Sequence, residues 1–207
     1  MGEGAVRNLM QAAVQVLGVG PSIVRWLAMT AVAIGTGCGS VHPARAQAQA
    51  PSPSADGPPV AIGGWRYEKG ASDIHLFICQ AETCVPGSRV SYRFYPAGTT
   101  MMLNQFRSEQ EMIVKALQQR SPPGAKITIV AIEGDDGGTL PRMYKARRLT
   151  VGPDGSQEHV HSGLLLGENA AVSLISSSRD EKAANGNYAQ YALGLMLSIQ
   201  MPRDPKK

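Results

Sequence analysis

The second half of the chain consists of apolar, strand-like segments joined by very short links. The segments cover residues 127–132, 142–151, 158–166 and 171–177. The links between them are rich in glycine, proline and acidic residues and cover 134–138, 152–155 and 167–169. A parallel return needs a crossover of about a dozen residues or more, whereas antiparallel neighbours need only a tight turn. The sequence therefore predicts a four-stranded antiparallel meander.

Two more strands are predicted upstream, at residues 74–79 and 90–95. In both segments apolar side chains recur at every second position, which is the period of a half-buried strand. Segment 127–132 differs because it is apolar on both faces apart from Thr128. That pattern predicts a central position in the sheet for this strand.

A central helix is predicted between these strands and the meander. Apolar or large side chains recur at three-and-four spacing in a stretch that is otherwise polar, at Leu103, Phe106, Gln110, Ile113 and Leu117. The sequence Ser-Pro-Pro-Gly at 121–124 ends the run, because proline cannot continue a helix.

A second helix is predicted at the end of the chain. Its apolar stripe consists of Tyr188, Tyr191, Ala192, Leu195 and Ile199. Asn187 is the predicted N-cap, with Gln190 three residues later. An earlier start, capped by Ser178 with Glu181, would place Gly186 in mid-helix at a cost of about 1 kcal/mol. A strand is the rival interpretation, because leucine and isoleucine also alternate strictly from 193 to 199.

This order of elements predicts an α+β fold: an antiparallel sheet with a four-stranded C-terminal meander, packed by one central and one C-terminal helix. The stretch 172–178, followed by Asp180 and by Asn187-Tyr188 at the start of a terminal helix, resembles the end of proteins of the Mog1/PsbP-like fold. The domain is also similar to uncharacterised exported proteins of proteobacteria. Because members of that fold serve as accessory and binding proteins, the resemblance implies a shape more than an activity.

The first 48 residues have the parts of a signal peptide. Arg25 precedes an uncharged, largely apolar run, and small residues alternate at 44–48, which predicts cleavage after Ala48. The uncharged run, 26–41, is short for the roughly 20 residues of a membrane span. Cys38 lacks the leucine three positions upstream that a lipid-attachment site usually has. We therefore expect a periplasmic or secreted protein with no stable membrane span after cleavage.

The rest of the chain divides into three parts. Residues 49–64 form a linker rich in Pro, Ser and Ala with no periodic apolar face, which predicts a mobile spacer. Residues 65–201 form the α+β domain, and 202–207 form a polar tail.

Two cysteines lie in the domain, at Cys79 and Cys84. An even pair close in sequence in an exported protein predicts a disulfide, which would stabilise the fold by roughly 2 kcal/mol. A redox pair is the alternative, but dithiol catalysis normally uses the tighter C-x-x-C spacing at a helix N-terminus.

A metal site is the main alternative function. His159 and His161 share one face of a predicted strand, and His75 lies near the cysteine pair. A structural zinc site needs four ligands, and a disulfide would remove both thiolates. Exposed imidazoles on the solvent face of the sheet are the simpler interpretation.

Two charged segments have structural rather than functional interpretations. The acidic turn at 133–136 lacks the spacing of a calcium loop and is predicted to be a solvated hairpin. The densest basic cluster is expected to pair with acidic residues on neighbouring strands. The cluster consists of Arg142, Lys145, Arg147 and Arg148, and the candidate partners are Glu133, Asp135 and Glu158.

The charge balance and the motifs limit the function. Of 20 basic and 16 acidic residues, 17 and 15 lie from residue 49 onward, which is too even to indicate nucleic-acid binding. No nucleophile elbow, zinc-protease or phosphate-loop motif occurs there. The sequence favours a non-catalytic binding or accessory module without a cofactor, whose partner is an unknown protein or small molecule. A hydrolase with an unrecognised site is a weaker alternative.

Overall fold

The structure is a computed structural model that describes residues 58–80, 82, 84–134 and 136–201. Seven strands form one antiparallel sheet in the order β1-β2-β3-β7-β6-β5-β4. The strands are β1 (Trp65–Lys69), β2 (His75–Cys79), β3 (Arg89–Tyr95), β4 (Lys126–Glu133), β5 (Arg142–Val151), β6 (Gln157–Leu166) and β7 (Ala171–Ser178). The helices are α1 (Leu103–Arg120) and α2 (Glu181–Gln200).

The predicted α+β class and the four-stranded meander are confirmed. Strands β4 to β7 pair in sequence order, and each link between them is too short for a crossover. The upstream strands join this meander through β3, which pairs with β7 so that Tyr92 lies opposite Leu174. Strand β1 was not predicted and extends the far edge of the sheet beside β2.

The predicted central position of segment 127–132 is wrong. This segment is β4, and it lies at the edge of the sheet. Val130 on its outer face is 54% exposed, and the register with β5 shifts between Ile129 and Ala131. Its inner face is apolar because α1 packs against it, so one covering helix, rather than strands on both sides, accounts for the composition.

The two helices lie on opposite faces of the sheet. Leu165 belongs to the apolar cluster under α2, whereas the neighbouring Leu164 belongs to the cluster with Phe106 of α1. Because successive side chains of a strand point to opposite faces, the two clusters are separated by the sheet itself. Helix α2 packs on β7 and β6, and α1 packs on β4 and β5. Neither helix of the described residues is long and apolar enough to cross a bilayer.

The C-terminal segment is a helix, and its start differs from the predicted Asn187 N-cap. Asp180 is the N-cap, and its Oδ1 accepts a hydrogen bond of 2.7 Å from the Ala183 backbone N–H. Asn187 therefore lies inside the helix, and Gly186 is accommodated at an exposed position. The alternation that favoured a strand has a helical explanation, because Leu195 and Ile199 are buried four residues apart.

The last residues of the segment predicted as a mobile spacer pack on the domain. The Val60 backbone N–H lies 3.1 Å from Tyr92 Oη, which donates in turn to the Val60 carbonyl oxygen at 2.8 Å. Val60, Ala61 and Ile62 contact the apolar cluster under α2. The packed unit thus includes residues before Trp65. The predicted signal peptide and the polar tail lie outside the described residues.

Candidate binding cleft

A polar cleft of about 430 Å³ lies between the first two turns of α2 and residues of β4, β5 and β6. Its lining residues are all polar or charged, and they come from three strands and one helix. They are Glu133, Lys145, Arg147, His161, Glu181, Lys182 and Asn185.

Strand register brings the sheet residues of the cleft together. Arg147 of β5 lies directly opposite His161 of β6, and Lys145 lies opposite Gly163. Side chains at alternate positions share a face, so all of these positions face α2. Gly163 is required here, because a Cβ atom at this position would lie 1.9 Å from Tyr188 Oη. The missing side chain lets the α2 tyrosine reach the sheet beside the cleft.

His161 is the most deeply buried titratable group of the cleft. The residue is 3% exposed, and its Nδ1 has no hydrogen-bond partner among the described residues. Burial, followed by the positive charges of Lys145 and Arg147, lowers its pKa to about 4. The imidazole is therefore neutral at pH 7. The expectation of an exposed surface histidine is wrong at this position, because α2 covers it.

A second buried polar group, Tyr188, lies next to His161. It is 2% exposed, and its hydroxyl group also lacks a partner within the described part of the chain. Burial raises the pKa of Tyr188 well above its ordinary value. Its ring centroid lies 6.0 Å from that of His161. An unpartnered buried polar atom costs about 1 to 3 kcal/mol. His161 lines the cleft, so its Nδ1 is a position where a ligand could add a hydrogen bond, whereas Tyr188 is not one of the lining residues.

The cations of the cleft differ in their partners. Lys145 Nζ donates to Asn185 Oδ1 at 3.0 Å and lies 4.9 Å from the centroid of the Tyr188 ring. Burial lowers the pKa of Lys145. Arg147 Nε lies 3.5 Å from Glu133 Oε1, and its Nη1 lies 3.9 Å from Glu181 Oε1. The predicted pairing of this strand with Glu133 is thus confirmed for Arg147.

The other members of the predicted basic cluster do not enter the cleft. Arg148 faces the opposite side of the sheet, is 4% exposed, and donates from Nη1 to Gln110 Oε1 at 3.2 Å. Arg142 donates from Nη1 to the Asp136 carbonyl oxygen at 3.0 Å. Asp135 lies outside the described residues. The alternation of β5 therefore splits the cluster between two faces, as expected for a strand.

The three histidines proposed as a metal site do not meet. His75 lies on β2, where its ring stacks on Tyr92 and its Nδ1 lies 3.0 Å from Tyr67 Oη. Two strands separate it from β6, a distance of about 14 Å at the usual strand spacing. His159 and His161 are two positions apart on one strand, about 7 Å. Within the described ranges, no three His, Cys, Asp or Glu residues are grouped to hold a metal ion.

The remaining predicted features have structural roles. Cys79 and Cys84 are joined in a disulfide, with their Cα atoms 6.0 Å apart. In the acidic turn, Asp136 Oδ1 accepts hydrogen bonds from the Leu103 backbone N–H at 2.8 Å and from the Tyr144 hydroxyl group. The turn that was predicted to be solvated therefore ties the start of α1 to β5.

The cleft has the parts of a binding site rather than of a nucleophilic centre. Ser176 lies opposite His161 in the sheet, but it is fully buried and its hydroxyl donates to the Ala184 carbonyl oxygen at 2.9 Å. A histidine with a pKa of about 4 is also a weak base at neutral pH. The arrangement can nevertheless hold a polar ligand between the strand cations and the helix.

A larger cleft of about 540 Å³ lies at the end of the sheet, between Arg89 and Arg179. Its buried hydroxyl is already bonded, because Ser178 Oγ accepts from Ser88 Oγ at 2.9 Å and from the Asp180 backbone N–H at 3.1 Å. Of these two clefts the one beside α2 is the better candidate, since His161 lines it and the buried Nδ1 of His161 has no hydrogen-bond partner among the described residues.

Sequence reasoning found some residues of this cleft but not the cleft. Alternation placed Lys145 and Arg147 on one face, and His161 was singled out as a possible ligand. Glu181 and Lys182 were missed as cleft residues, because the N-cap of the helix was expected at Asn187, seven residues after the observed Asp180. The two-residue period of the strands showed which residues share a face of the sheet. The sequence did not show the register between β5 and β6, which brings Arg147 opposite His161.

Comparison with solved structures finds several similar chains. The chain is similar to the solution structure of cyanobacterial PsbP (CyanoP) from Synechocystis sp. PCC 6803. The two are 14% identical with a TM-score of 0.44, and the similarity covers 67% of this chain and 80% of that chain. No family model and no curated protein matches the chain.

Proposed function

We propose that this protein is an exported, non-catalytic binding module that holds a small ligand in the cleft beside α2. The observation that carries this proposal is the buried His161 Nδ1, which has no hydrogen-bond partner among the described residues and belongs to a residue that lines a cavity of about 430 Å³. Binding cavities typically have volumes of about 300 to 1,000 Å³ and a few convergent polar groups. Binding is favoured over catalysis, because His161 is a weak base at neutral pH and the Ser176 hydroxyl already donates to the Ala184 carbonyl oxygen.

Export is part of the proposal. The leader 1–48 would be removed, and the mature chain would begin at Gln49. The disulfide between Cys79 and Cys84 supports this location, because such bonds persist in oxidising compartments. Intact mass spectrometry of the protein from the envelope fraction should give the mass of a chain that begins at Gln49, less two hydrogens. Unprocessed chains with free thiols in the cytosol would contradict it.

The binding role can be tested by blocking the cleft. Asn185 is exposed at the rim, so Asn185→Trp should fill the cleft without changing the core. Ala189→Trp is the matched control, one helical turn later and also exposed. In a thermal-shift screen of small polar molecules, a ligand of the cleft should raise the melting temperature of the wild type and Ala189→Trp but not of Asn185→Trp. Hits that stabilise all three equally would contradict the assignment.

A further inference from the structure

The charged groups of the cleft identify a class of ligand, if the binding role proposed above holds. A lysine ammonium group has three N–H donors, and the described contacts of Lys145 use one of them, on Asn185. Among the described residues, no carboxylate lies within ion-pair distance of Lys145 Nζ. A half-buried cation with donors to spare favours an anionic group on the ligand.

Arg147 supplies a second anchor, and its neighbours limit the ligand charge. Its contacts with Glu133 and Glu181, at 3.5 and 3.9 Å, are long and partly exposed. Exposed pairs of this kind contribute about 1 kcal/mol or less, so a ligand can compete for the guanidinium group. The cleft carries three cations and two carboxylates, and His161 is neutral at pH 7. The net charge of +1 matches a single negative charge.

The buried face of the cleft adds a requirement for a neutral polar group. His161 lines the cleft, and its buried Nδ1 lacks a partner among the described residues. Because Arg147 lies opposite His161 in the register, an anionic group bound by the arginine would place an adjacent substituent near the imidazole. A hydroxyl or amide group can form that hydrogen bond with either neutral tautomer.

We propose that the cleft binds a small monoanion whose anionic group contacts Lys145 and Arg147 and whose neighbouring neutral polar group bonds His161. A hydroxycarboxylate has this chemistry, with a charged and an uncharged hydrogen-bonding group on adjacent carbon atoms. Polyanions are disfavoured, because Glu133 and Glu181 already offset part of the positive charge.

Four small probes separate the parts of this proposal: lactate, propionate, lactamide and ethanolamine. Propionate lacks the hydroxyl group of lactate, lactamide lacks its charge, and ethanolamine has the opposite charge. In an NMR titration of the full chain, lactate should give saturable shifts at Lys145, Arg147 and His161, and each of the other probes should bind more weakly. Binding of lactamide or ethanolamine as tightly as lactate would overturn the proposal.

Substitution of the anchors gives the second arm. Lys145→Gln should weaken lactate binding by about tenfold, as expected for the loss of a charged hydrogen bond. Arg147→Gln tests the other anchor if the first variant folds poorly. Lys115→Gln is the control, since Lys115 is exposed on α1 across the sheet. Unchanged lactate affinity in both anchor variants would overturn the proposal.

The failure of this ligand class is distinguishable from failure of the binding role. Neutral or cationic hits that Asn185→Trp abolishes would leave the binding role intact and reject the monoanion. If none of the four probes gives saturable shifts, and the thermal-shift screen gives no hit that Asn185→Trp abolishes, both proposals are wrong.

Discussion

The two helices cover opposite faces of the same sheet, but they are held by different forces. Helix α2 buries an apolar stripe, and the ring of Tyr191 lies 5.2 Å from that of Phe77 and 6.1 Å from that of Trp65. Helix α1 buries only Phe106 as an apolar residue, together with Glu109 and Gln110. Buried apolar area therefore holds α2 on the sheet, whereas a few specific hydrogen bonds hold α1.

The polar contact under α1 centres on one amide oxygen. Gln110 Oε1 accepts from Arg148 Nη1 at 3.2 Å and from Ser162 Oγ at 3.0 Å, and all three residues are buried. Glu109 is 7% exposed, and burial raises its pKa to about 7. Apolar packing tolerates small shifts, but a shared acceptor fixes one position for a helix, because hydrogen bonds depend strongly on distance and angle.

The largest effect is expected from the aromatic face. Tyr191→Ala removes a fully buried ring under α2 and should lower the free energy of unfolding by about 3 to 5 kcal/mol. Leu193→Ala is the control on the same helix, because Leu193 is 68% exposed, and it should change stability by about 0.5 kcal/mol or less. Urea unfolding followed by circular dichroism measures both. Similar losses in the two variants would refute the view that buried area holds α2.

The next effect is expected at the shared acceptor under α1. Gln110→Leu leaves the buried Arg148 guanidinium and the Ser162 hydroxyl without their acceptor and should cost about 2 to 3 kcal/mol. Gln119→Leu is the matched control, because Gln119 is exposed on the same helix. Urea unfolding is again the measurement. If the leucine at position 110 were neutral or stabilising, apolar packing would hold both helices and the contrast would disappear.

Glu109 should make the α1 face sensitive to pH. Its folded-state pKa of about 7 lies above its ordinary value, so the folded state holds the proton more tightly. The contribution of this raised pKa to the free energy of unfolding is fully present at low pH and is lost as the pH rises to about 7. Glu109→Gln should therefore match the wild type at pH 4 and exceed its unfolding free energy by on the order of 2 kcal/mol at pH 8.

Unfolding curves at several pH values test this prediction, with Glu111→Gln as an exposed control on the same helix. A constant difference between Glu109→Gln and the wild type from pH 4 to pH 8 would show that the carboxyl group does not titrate in this range. His161 has the opposite sign, since its lowered pKa reduces stability as the pH falls from 6.5 to about 4. The difference between variant and wild type removes this background.

The smallest effect is expected at the helix starts. The α2 start is capped by its own Asp180, whereas the Leu103 backbone N–H of α1 donates to Asp136 in a distant turn. Asp180→Ala should lower the free energy of unfolding by about 1 kcal/mol, and Asp180→Ser should restore most of it. Thermal unfolding measures both. A full loss in the serine variant would mean that the charge of Asp180, rather than its cap hydrogen bond, stabilises α2.

The sequence predicted most strands and both helices, but it did not predict correctly where each strand lies in the sheet. Alternation located two strands, apolar segments between short links located four more of the seven, and the three-and-four spacing located both helices. The apolar composition of 127–132 was misinterpreted as central, because a strand covered by a helix on one face has a composition similar to that of an inner strand. Strand β1 was missed, because five residues with partly exposed side chains give a weak periodic signal.

Local chemistry determined what the sequence could predict: strand and helix periods, short antiparallel turns and a cysteine pair close enough to join. Only the tertiary structure decided which β5 residue lies opposite His161, which helix covers it, and that Gly163 makes room for Tyr188. These are contacts between residues up to dozens of positions apart. They depend on sheet register and helix placement, which no short stretch of sequence specifies by itself.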